Sequence, residues 1–139
     1  MTPQNSDIET KKIPEDRLEE YFANFTKNFL LRESTNRINL EVLGDDLGDQ
    51  FEAEDSPIFG ITYEPNDKSL EFELEAGDHR ILNPKEVWVA EEFDGFIKSI
   101  EVVTDDGLRQ VATVKRGAVT PAASTQTSST ANVEQKSPQ

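Results

Sequence analysis

IFGITYEPNDKSLEFELE, residues 58–75, contains two runs of alternating apolar and polar residues on either side of Pro65-Asn66-Asp67-Lys68. Period-two alternation belongs to a strand with one buried face, and a Pro/Asn/Asp cluster between two such runs belongs to a turn. The stretch therefore predicts a β-hairpin. In its second strand Leu70, Phe72 and Leu74 point one way, and Glu71, Glu73 and Glu75 form a carboxylate ladder on the other face. The same alternation recurs around it. Ile38, Leu40 and Val42 alternate with Asn39 and Glu41. Residues 79–83 and 87–90 read as short strands bent apart at Pro84, which cannot donate to a central ladder. Residues 97–104 and 108–115 flank Asp105-Asp106-Gly107, a hairpin signal.

Only one segment carries the helical period. In IPEDRLEEYFANFTKNFLL, residues 13–31, Leu18, Tyr21, Phe22, Phe25 and Phe29 fall on one stripe. Pro14 suits the first helical position, Glu15 and Asp16 suit the positive end of the dipole, and the helix should end between Lys27 and Arg32. The expected fold is α+β: one N-terminal amphipathic helix on a mostly antiparallel meander of about six strands. Residues 1–12 read as a flexible lead-in and 13–116 as the single domain. Residues 117–139 hold eight Ser or Thr in 23 positions and no aromatic. They read as a disordered tail, solvating or phosphorylated, because such a composition buries too little to offset the entropy of ordering.

Composition narrows function by exclusion. The chain has 139 residues and no cysteine, which removes disulfides, thiolate metal sites and Cys nucleophiles and agrees with a reducing cytoplasm. MTPQNSDIETKK at the start lacks the apolar run of an export signal. No segment approaches the roughly 18 to 20 apolar residues that cross a bilayer. The net charge is −14, and all of it sits in residues 13–116 because both ends are neutral. Such a surface repels phosphate backbones and anionic lipid, so nucleic acid and membrane are not expected partners. A basic protein, a cation or simple solubility remain open; oligomeric state is not legible.

No cofactor motif is present: there is no Walker loop, no dinucleotide fingerprint and no nucleophile elbow. With 28 acidic residues some carboxylate pair will always lie at a glycosidase-like spacing, so abundance decides nothing. His79 is the only histidine. A catalytic role would need an orienting acid, for which Asp78 is the neighbour, and a structural hydrogen-bonding role competes with it. Asp45, Asp46 and Asp49 head an acidic stretch, 44–55, that could offer oxygens to a divalent cation, although its spacing misses the calcium-loop template and an incidental acidic loop is the simpler reading. Trp88, between Val87 and Val89, reads first as core. If it emerges with Phe93 and Phe96, the three would make a binding patch.

The ordered pieces together resemble a small bacterial family, domain of unknown function 5335. The resemblance covers about residues 13–115 and is carried by Gly44-x-x-x-Gly48, by Gly60-Ile-x-Tyr63 and by the segment 79–84. It implies a bacterial, cytoplasmic, single-domain protein and confers no activity and no catalytic residue, though it suggests that His79 and the 44–48 turn are family features. The leading reading is a non-enzymatic protein-interaction module that binds a basic protein through a sheet edge or the region 88–96. The alternative is a small-ligand or divalent-cation binder using His79 and the 44–55 loop.

Overall fold

The structure is a computed structural model that describes residues 8–32, 35–44 and 48–117, without the side chains of Gly48 and Asp49. The 117–139 tail thus lies outside the described residues beyond Gly117. One helical segment and one antiparallel sheet build the fold, as α+β patterning requires. The sheet has eight strands rather than about six. They are β1 (Glu9–Lys12), β2 (Arg37–Gly44), β3 (Gly48–Glu64), β4 (Ser69–Leu74), β5 (His79–Leu82), β6 (Pro84–Glu91), β7 (Ile97–Thr104) and β8 (Arg109–Lys115).

β1 is an added strand, and β3 is longer than its alternating half. β1 lies within the stretch read as a flexible lead-in, yet Glu9 to Lys12 pair with Glu91 to Trp88 on β6. The first half of β3, read as an acidic loop, pairs with β2 from Gly44↔Gly48 to Arg37↔Pro57. Neither has an apolar alternation of its own. Both become strands because a strongly patterned neighbour offers a ladder, which is how tertiary context overrides weak propensity. The helix is also shorter than its apolar stripe. A 3₁₀ turn, Glu15–Arg17, precedes α1 (Leu18–Phe25), and Thr26–Leu30 continue as a π turn.

Strand order β1-β6-β7-β8-β2-β3-β4-β5 makes two meanders, β2 to β5 and β6 to β8, joined where β8 pairs with β2. β5 is at one end of this order and β6 is next to the other end, yet only Asn83 separates Leu82 from Pro84. Two Cα atoms that far along the chain lie within about 7 Å, so the sheet curls round until its ends meet. Its concave side and the helix share one core, in which Phe22, Phe72 and Phe96 are fully buried. Each such ring contributes roughly 1.5–3 kcal/mol by leaving water.

Candidate functional site

The structure separates the three aromatics that would make a patch if they emerged together. Phe96 is core, stacked edge-on against Phe25 and Phe29 at 5.4 and 5.5 Å, with the Arg116 guanidinium 4.5 Å from its ring. Phe93, three residues earlier, is 87% exposed at the turn between β6 and β7. Gly95 sustains that turn at φ +94°, a conformation that favours glycine. Trp88 is not core. It stands on the solvent side of β6 at 37% exposure, and its indole N–H donates to Glu86 at 3.0 Å.

His79 is half-buried on β5, and its Nε2 pairs with Oε1 of Gln110 on β8 at 2.8 Å. Its polar contact therefore runs across the closed sheet, not to Asp78. Asp45 and Asp46 lie outside the described residues, as does the Asp49 side chain. Among the described residues no group of three or more His, Asp or Glu is placed to hold a metal ion.

What the register does assemble is on the convex face. One row of cross-strand neighbours runs Lys12, Trp88, Glu101, Val111, Glu41, Phe51; the next runs Glu86, Val103, Arg109, Leu43. The apolar members alternate between the rows. Trp88, Val103, Val111, Leu43 and Phe51 thus form a zigzag with one residue on each of five adjacent strands, each step a diagonal of about 7–8 Å. At about 4.8 Å per strand the stripe is roughly 19 Å long. Phe51 is 52% exposed at its far end. Glu86, Glu101 and Glu41 interleave with it, and Arg109, the cation in the second row, is tied to Glu101 at 2.6 Å. The Trp88 N–H holds the Glu86 carboxyl below its ordinary pKa, helped by the nearby Lys12.

Sequence reasoning reached Trp88 and missed the other four. A signal existed: Val42-Leu43 and Val102-Val103 are adjacent apolar pairs inside strands, and since successive side chains take opposite faces, one of each pair must point outward.

The model of a family described as "Family of unknown function (DUF5335)" matches residues 9–123, beginning where β1 begins. A protein of Aquifex aeolicus (strain VF5) titled "Uncharacterized protein" is 43% identical over 107 residues, which cover 76% of this chain and 92% of that protein. No solved structure matches.

Proposed function

We infer that this chain, which belongs to the family of unknown function DUF5335, is a non-enzymatic interaction module of the cytoplasm that binds a basic partner protein through the convex face of its sheet. The observation that carries this reading is the five-strand apolar stripe from Trp88 to Phe51. Exposed apolar surface that is contiguous, rather than scattered, marks interaction sites, and aromatics such as Trp88 and Phe51, which stand at the two ends of the stripe, are enriched in binding hot spots. The interleaved carboxylates and the net charge of −14 supply the preference for a cationic partner. The same charge disfavours a second copy of this chain on the stripe, because two such surfaces repel.

The test is a capture experiment with the full chain and its Val111→Glu variant, at low salt and at about 0.5 M salt. Val111 sits on the solvent side at the centre of the stripe, so the charge should not disturb the core. A basic protein retained stoichiometrically by the wild type, lost by the variant and released by salt is the expected result. Equal retention by both proteins would move the binding surface elsewhere.

A further inference from the structure

A second surface differs from the rest of the molecule in both shape and sign. Ile13 extends the β1–β6 ladder by donating its N–H to Val87 O at 2.9 Å, and the chain then leaves the sheet at Pro14. Pro84, which opens β6, lies across the gap. Between them is a cleft of about 400 Å³ floored by Ile13, Pro14, Leu18, Pro84 and Val87. Ile13, Leu18 and Val87 belong to the core, so the floor is the end of the core itself. Neither proline brings a backbone N–H to be satisfied there.

Polar groups stand on the rim. Lys12 and Lys85 line the cleft, and among the described residues neither has a carboxylate at ion-pair distance, although both act on Glu86 from farther away. Glu15, the rim acid, is neutralised by Lys68 at 3.3 Å. An adjoining cleft shares Glu15, Pro84 and Lys85 and adds the acid Asp105 together with Asn83 and Lys68. Asn83 and Lys68 are held in left-handed backbone, at φ +53° and +50°, and the Asn83 N–H donates to Lys68 O at 2.8 Å. Non-glycine residues adopt that conformation at a cost, and such strain gathers at ligand clamps. An apolar concavity of this size with a few converging polar groups has the make-up of a small-molecule site.

We propose that this cleft binds a small organic anion with an apolar body: a carboxylate or phosphate head between Lys12 and Lys85, and the body on the Pro14–Pro84 floor. On a molecule of net charge −14 an anion is repelled almost everywhere, so unpaired ammoniums over an apolar floor select both its charge and its place. The site adjoins the convex face through Lys12, the cross-strand neighbour of Trp88, but does not rest on the interaction reading.

The probe is sodium decanoate below its micellisation concentration, titrated into the full chain and followed by backbone amide shifts and by thermal unfolding. Saturable shifts at Ile13, Leu18 and Val87 with a raised melting temperature are expected. The Lys12→Gln/Lys85→Gln variant, its unliganded melting temperature measured beside that of the wild type, should bind at least about tenfold more weakly. Acetate should not saturate, because it lacks the body the floor would hold. Shifts confined to the Trp88 face, undiminished binding by the double variant, or acetate binding as tightly as decanoate would each overturn the proposal. So would retention on phosphatidylglycerol vesicles with no response to free decanoate, which would assign the lysines to a membrane surface.

Discussion

Tyr21 donates its phenolic hydrogen to Glu91, seventy residues away, and Lys11 completes the group, 3.2 Å from Glu91 and 5.7 Å over the Tyr21 ring. Burial raises the Tyr21 pKa well above the ordinary tyrosine value, and the Glu91 carboxylate raises it further through the hydrogen bond and its charge. The folded state therefore favours the protonated phenol. That contribution is complete below the unfolded value of about 10 and is lost as pH rises beyond it. Urea midpoints of the wild type should fall above about pH 10 more steeply than those of Tyr21→Phe, which has no phenol to ionise there. Parallel curves would show that the Glu91 contact carries no linkage. Two aromatics one turn apart supply a second contrast. Phe96→Ala removes a ring with no exposure and should cost about 3–5 kcal/mol. Phe93→Ala, at 87% exposure, should stay within about 0.5 kcal/mol. Chemical unfolding of both variants measures the difference, and equal losses would mean that Phe93 packs in solution. The turn at Asp94-Gly95 was legible from its residue types. Which flanking ring turns inward was not, because that depends on Phe25 and Phe29 arriving from a helix some seventy residues earlier.

β3 shows how an element can be half legible. Its second half alternates Ile58, Ile61 and Tyr63 into the core and pairs with β4 as the hairpin pattern predicts. Its first half carries Phe51 and Ala53 among acids, a composition that alone reads as loop. The two halves hydrogen-bond different partners, β2 and then β4, and the change is held by outward side chains of β2. Asn39 accepts from the Asp55 N–H at 2.6 Å and Arg37 donates to Asp55 O at 2.7 Å, with Asp55 itself at φ +50°. Past Pro57 β2 no longer pairs with β3, and the helical segment takes over that edge. The Thr26 hydroxyl both accepts from the Ile61 N–H and donates to Ile61 O, each at 3.0 Å. One hydroxyl thus satisfies two backbone groups that no strand reaches, a role that spacing along the chain does not reveal. Thr26→Val keeps the shape and deletes the hydroxyl, leaving both groups short of a partner. It should cost about 2–4 kcal/mol in a urea titration, while Thr26→Ser should recover most of the loss. A neutral Thr26→Val would mean that water substitutes freely, and the helix would then be held on β3 by apolar packing alone.

Closure of the sheet is a property of the whole chain. The β3–β4 and β7–β8 hairpins could be read from their own turns, but the pairing of β8 with β2 joins segments that share no local signal. The result is a small body with its apolar side chains gathered inside and an excess of 14 negative charges. Two electrostatic terms then compete. Exposed ion pairs such as Lys68–Glu15 and Arg109–Glu101 are worth about 0–1 kcal/mol each and weaken with salt. Repulsion among the surplus carboxylates weakens as well, and it acts over a screening length that shrinks from about 30 Å at 0.01 M salt to about 10 Å at 0.1 M. Because acids outnumber bases two to one, repulsion should win. Sodium chloride raised to about 0.5 M should therefore increase the melting temperature, by about 4 °C or more for each kcal/mol of relieved repulsion. Association with a basic partner should respond in the opposite sense, since the same screening removes the attraction that brings the two together. Calorimetry and binding across one salt series would test both. A melting temperature that falls with salt would show that the ion pairs outweigh the net charge, and the charge-based choice of a cationic partner would lose its footing.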